Sequence, residues 1–178
     1  MYSRILLAYD GSREGLIALR EGALLAKRCG AQVFLLSVLP ASSGLQMAEG
    51  VYPGAINQQV SSYKELLARG VTVLKQLGLN PVARLVVGEP APQIGMFAKE
   101  IGADLVVLGH RPQSLMQRWW SGASGGYVSE HVGCSLLVGR KSVSDEAFEA
   151  ELQNLSPPSR SPPARSPASV EPPSLSPS

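Results

Sequence analysis

A strand made only of apolar residues has to sit inside a sheet that is covered on both faces, because alternate side chains point to opposite sides. Two such runs constrain this chain more than anything else in it. They are Ile5, Leu6, Leu7 and Ala8, and Leu105, Val106, Val107 and Leu108. Between and after them, short apolar runs alternate with segments of helical period. Residues 32–38, 82–87 and 135–138 read as three further strands. Residues 13–29 read as a helix with Leu16, Leu19, Ala23 and Ala26 on one side, capped by Ser12 and ended by Gly30. Residues 55–77 carry Tyr63, Leu66, Leu67, Val71, Leu74 and Leu77 at helical spacing, with Gly70 inside the run and Gly78 closing it. Gly88, Glu89 and Pro90 turn the chain into a helix over 91–101, and another helix is expected from Gly122 to about Val132. Residues 39–54 hold Pro, Ser and Gly and read as a long loop.

Strand, helix, strand, repeated, implies parallel strands joined by right-handed crossovers. The expected fold is α/β: one open five-stranded parallel sheet with helices on both faces, Rossmann-like. Ligands of such sheets bind beyond the carboxyl ends of the strands, at Asp10, Val38, Val87-Gly88 and Gly109 here.

The rest of the composition narrows the classes. Sixteen Lys and Arg against fourteen Asp and Glu leave a net charge of +2, which speaks against a nucleic-acid binder. Cys29 and Cys134 are too few and too far apart for a disulfide framework or a zinc site, and fit a reducing cytoplasm as buried small residues. No apolar run approaches the ~18 residues of a membrane span or the core of a signal peptide, so a cytoplasmic protein without membrane insertion is expected. Eight of the 14 prolines fall in the last 23 residues, recurring at 157, 162, 167, 172 and 177 among eight serines. Such a segment has too little to bury to offset its ordering entropy. Three parts result: an α/β domain over 1–141, a short amphipathic helix within 142–155 with Phe148, Leu152 and Leu155 on one face, and a disordered Pro/Ser-rich tail over 156–178. The tail reads either as a solubilising appendage or as a docking peptide with Ser-Pro sites.

The informative loop starts with Gly109, His110, Arg111 and Pro112, and ends with Gly122, Ala123, Ser124, Gly125 and Gly126. Glycine after a buried strand lets a ligand approach the backbone, and small residues opening a helix leave N–H groups for an anion. Arg111 and Arg118 add charge for phosphate. The same glycines also suit tight turns and strand–helix packing, and both readings stand at this level. Neither a Walker A loop nor the dinucleotide fingerprint is present.

In order and spacing, the chain resembles a universal stress protein over residues 2–141. The resemblance rests on the opening residues from Arg4 to Ser12, on Leu36-Ser37-Val38, on Gly88-Glu89-Pro90, on the stretch from Ala103 to Arg111, and on Cys134-Ser135-Leu136-Leu137-Val138. It implies an adenine nucleotide alpha hydrolase-like fold. The family's nucleotide-binding branch carries Gly-x2-Gly-x9-Gly-Ser/Thr. Here the spacing is kept, but Pro112 replaces the second glycine and Ala123 the Ser/Thr. Pro112 offers no N–H to a phosphate. The resemblance implies ATP, with Mg2+, as the ligand. Asp10 would accept hydrogen bonds from the ribose or adenine end, and Val38 would present its backbone to the adenine edge. Gly109, Gly122, Ala123 and Ser124 would hold phosphates through N–H groups, with Arg111 as their counter-charge. It also implies a homodimer through the last strand, Ser135 to Val138.

Three functional readings are open. The first is a regulatory module that binds ATP or a related adenine nucleotide. The second is a nucleotide-free dimeric interaction protein acting through its surface, Trp119-Trp120 and the tail. The third is a slow ATP hydrolase, disfavoured because the 109–126 loop holds no Asp or Glu and only Asp10 and Glu130 lie near it. His110 and His131 have no nucleophile partner visible in sequence.

Overall fold

The computed structural model describes residues 1–41, 54–110 and 128–139, together with 146, 148–150 and 153. Five strands, β1 (Arg4–Ala8), β2 (Gln32–Pro40), β3 (Val82–Gly88), β4 (Leu105–Gly109) and β5 (Ser135–Gly139), form one sheet in the order β3-β2-β1-β4-β5. Every pairing is parallel. The helices are α1 (Arg13–Cys29), α2 (Ala55–Gln76), α3 (Pro90–Ile101) and α4 (Val128–His131). The apolar runs of β1 and β4 do what their composition requires. Ile5, Leu6, Val106 and Val107 are at most 1% exposed, with one core on each side of the sheet. Ile5, Leu7 and Val107 join α1 and α2 on one face, while Leu6, Val106 and Leu108 join α3 and α4 on the other.

Local chemistry sets the helix ends. Ser12 Oγ accepts the Gly15 N–H at 2.9 Å, capping α1, and Gly30 ends it in the left-handed region at φ 62°. Pro90 opens α3, where its missing N–H is no loss. Gly70, an apparent weakness in α2, is required by packing: a Cβ there would lie 2.9 Å from both Leu35 Cδ2 and Tyr9 Cδ1. Likewise a Cβ on Gly95 would run into the His131 carbonyl oxygen, so this glycine brings α3 and α4 together.

Two expectations need correction. β2 runs on to Pro40 instead of ending at Val38, with Pro40 paired to Gly88. The reason lies in strand parity. Leu36 turns its carbonyl toward β1, where it accepts the Tyr9 N–H at 2.8 Å. Residues 38 and 40 face the same way, and the β1 ladder has ended at Ala8. The missing N–H of Pro40 therefore falls where no ladder partner stands. The cysteines are also half-exposed instead of buried. Cys29 closes α1 beside exposed Gly30, and Cys134 sits in the turn entering β5. The middle of the expected long loop (42–53), the start of the helix expected from Gly122, and the tail lie outside the described residues.

Asp104 joins three strands at the end of the sheet opposite the loop. Its carboxylate accepts the N–H groups of Ser3 at 2.6 Å and Arg4 at 3.1 Å, and its carbonyl accepts the Ser135 N–H at 3.2 Å. Burial first, and the Asp104 charge second, push the Cys134 thiol above its ordinary value of 9.0. A raised thiol pKa stabilises the fold below the unfolded value, and that contribution fades as pH rises through the folded one. In a Cys29→Ser variant, alkylation of Cys134 by iodoacetamide is expected to reach half its full rate above pH 9.0 in the folded protein and near 9.0 in urea. Coincident profiles would contradict this.

Candidate functional site

The site lies where the direction of winding reverses. β1 leads through α1 and α2 toward β2 and β3 on one side, and α3 then carries the chain across to β4 on the other. In doubly wound sheets this point, beyond the carboxyl ends of the two diverging strands, here β1 and β4, is where ligands bind. Register fixes what borders it. Ala8 pairs with Leu36 on one side and with Leu108 on the other. Gly109 is therefore level with Tyr9, and Val38 with Asp10. Three of the residues expected at the site thus stand within one rung of each other, Val38 and Gly109 on the strands either side of β1 and Asp10 just beyond its end, with the Val38 amide and carbonyl directed to the space above β1.

Asp10 is held rigidly. Its Oδ1 accepts the Ser12 N–H at 2.9 Å and the Ser12 hydroxyl at 2.5 Å, while that hydroxyl accepts from Gly15. The turn chemistry expected of residues 10–12 is thus present, and it orients the carboxylate. Gly109 is also explained by packing. A Cβ there would sit 2.5 Å from the carbonyl carbon and oxygen of Glu14 and 2.6 Å from the Gly15 nitrogen. The end of β4 therefore lies directly against the first turn of α1. The backbone of His110 donates to the Gly139 carbonyl at 3.0 Å, tying the ends of β4 and β5.

Sequence reasoning missed two contributors. Ser37, fully buried, donates its hydroxyl to the Tyr9 carbonyl at 2.8 Å and so fixes the exit from β1. A serine inside an otherwise apolar strand run was the available signal. Gly15 was the other: a Cβ would meet Asp10 Oδ1 at 2.5 Å, so its lack of a side chain makes room for the carboxylate. Tyr9 is buried beside this turn, and burial raises its phenol pKa. Arg111, Gly122, Ala123 and Ser124, with Pro112, Trp119 and Trp120, lie outside the described residues. Among the described residues, no three His, Cys, Asp or Glu side chains are grouped to hold a metal. No described helix is long and apolar enough to cross a membrane.

A doubly wound parallel sheet with its switch point between β1 and β4 defines a large class of α/β proteins. Comparison with known proteins narrows it. The model of the universal stress protein family matches residues 1–140, and the chain belongs to that family. A universal stress protein of Synechocystis sp. is 28% identical over 149 residues, covering 77% of this chain and 97% of the relative. Among solved structures, a universal stress protein from Archaeoglobus fulgidus in complex with dAMP is 23% identical with a TM-score of 0.56, covering 78% of this chain and 98% of that one. Another, in complex with cAMP, is 19% identical with a TM-score of 0.59, covering 80% and 99%. At these identities the two structures establish the fold.

Gly109→Ala is expected to destabilise the protein by ~1–3 kcal/mol, because backbone atoms of α1 cannot yield to the new methyl. Gly133→Ala, which meets nothing within 4 Å, is the control. Thermal denaturation of the two variants checks the contrast; equal melting temperatures would refute the packing role.

Proposed function

We propose that this universal stress protein binds ATP or a related adenine nucleotide beyond the carboxyl ends of β1 and β4 and acts as a regulatory module, without catalysis as its purpose. The observation that carries the reading is the gathering of Asp10, Val38 and Gly109 within one rung of each other at the exit from β1 and on its two neighbouring strands. The Val38 backbone suits the adenine edge, and the Asp10 carboxylate the ribose end. Gly109 opens a loop whose Arg111, Gly122, Ala123 and Ser124 would take the phosphates, with Mg2+ carried by the triphosphate. Two proteins of the same fold are complexes with adenine nucleotides, cAMP and dAMP, which supports the ligand class.

A second reading, a nucleotide-free interaction protein, is favoured by Pro112 and Ala123 and by the fact that packing alone accounts for Gly109. In both readings the protein is cytoplasmic and pairs through β5. That edge strand carries Leu136, Leu137 and Val138, all only half-buried, which is a liability if left bare.

The nucleotide content of untreated protein, released by denaturation and resolved by ion exchange, decides between the readings. Close to one adenine nucleotide per chain is expected. Asp10→Ala should weaken ATP binding in calorimetry by at least about tenfold, the loss of a hydrogen bond to a charged group. An empty protein that also ignores millimolar ATP with Mg2+ would leave the second reading. Light scattering is expected to give a dimer mass at micromolar concentration, and a monomer would refute pairing through β5.

A further inference from the structure

The face of α2 that meets the sheet carries one amide in its stripe. At helical spacing Gln59, Tyr63, Leu66 and Gly70 fall within about 60° of one another around the axis. Contacts show what the stripe follows. A Cβ on Gly70 would lie 2.9 Å from Tyr9 Cδ1, and a Cβ on Gly11 would strike Leu66. Passing from Gly70 to Leu66 along the helix therefore passes from Tyr9 to Gly11 along the chain, outward from β1. Gln59 is seven residues further toward the start of α2. At ~1.5 Å per residue it stands ~10 Å beyond Leu66, where β1 has already ended. Its Oε1 is nevertheless shut off from solvent and, among the described residues, accepts no hydrogen bond. Buried acceptors are almost always paired, so this one asks for a donor.

We propose that Gln59 selects the base of the nucleotide: its Oε1 accepts a hydrogen bond from the exocyclic amine of adenine. The assignment rests on the nucleotide-binding reading of the site and adds a side chain to a base otherwise met by the Val38 backbone. An exocyclic amine has two hydrogens to give. The Val38 carbonyl takes one, and Gln59 Oε1 takes the other. The Gln59 side-chain N–H then faces the neighbouring ring nitrogen, the two-point pairing that glutamine makes with adenine in nucleic-acid recognition. Hypoxanthine and guanine carry a carbonyl in place of that amine and bring oxygen against oxygen. A site built on a hydrogen bond rejects a ligand that cannot make it far more strongly than an apolar wall rejects one of the wrong size. Without ligand the acceptor stays unpaired, at a cost to the empty protein.

Calorimetry of the full chain with ATP and with ITP, its hypoxanthine counterpart, reads the selection. Wild type is expected to favour ATP about a hundredfold. Gln59→Leu should lower that preference about tenfold, leaving the share of the Val38 backbone, while Gln59→Glu keeps the acceptor and should hold the preference within about twofold of wild type. A preference unchanged in Gln59→Leu, with ATP still bound, overturns the role of Gln59 and leaves the nucleotide reading standing. Wild-type protein that binds neither nucleotide overturns both. A second readout needs no ligand: the empty Gln59→Leu protein should melt above the empty wild type, because an unpaired buried acceptor is gone. A lower melting temperature would show that the protein itself satisfies the amide and would overturn the proposal. Should Gln59→Leu fail to fold, Gln59→Met takes its place in both measurements.

Discussion

The structure depends on how closely α1 lies against the sheet. Gly15, Ala18 and Gly22 line its inner side, and the sheet answers with Gly109 and Gly139. At Gly22 a methyl group would strike Leu7, and at Gly109 it would strike the α1 backbone itself. Close-packed interiors tolerate such intrusions poorly. The contact sets the position of the first turn of α1, and with it the Asp10–Ser12–Gly15 hydrogen bonds at the exit from β1. One steric condition thus serves both stability and the geometry of the site.

The two ends of the sheet are built differently. At the amino ends, Asp104 gathers β1, β4 and β5 with charge-assisted and main-chain hydrogen bonds. At the carboxyl ends, Ser37 and Ser12 hold the exit of β1 through single hydroxyls. On the outer flank, Arg84 stacks 4.4 Å over the Phe97 ring and pairs with Glu100 at 2.6 Å. That ion pair is exposed and adds little, but the guanidinium itself covers the Phe97 ring.

Much of this was legible in the sequence, for a physical reason. Apolar runs such as Leu105 to Leu108 admit one environment, and helix caps such as Ser12 and Gly30 act locally, so both survive translation into structure. Asp10 and Gly109 were legible as the exits of β1 and β4, whereas Val38 lies two residues inside β2. What escaped was whatever depends on distant partners. Gly70 reads as a helix flaw until Tyr9 is seen beside it, and the packing need at Gly109 shows only once Glu14 is seen behind it. The cysteines were misread because residue type predicts average burial, whereas their positions at element ends decide it.

Pro40 has a consequence for how the fold can vary. A parallel sheet normally grows by adding residues to a neighbouring strand, each new rung supplied by the longer strand. β2 outlasts β1 by several residues, but its final rung toward β1 offers no donor. A β1 lengthened by insertion would find a donor and an acceptor at Val38 but only the carbonyl acceptor at Pro40. The proline thus works as a stop on zippering, keeping the mouth above β1 open against the sheet's own tendency to close over it.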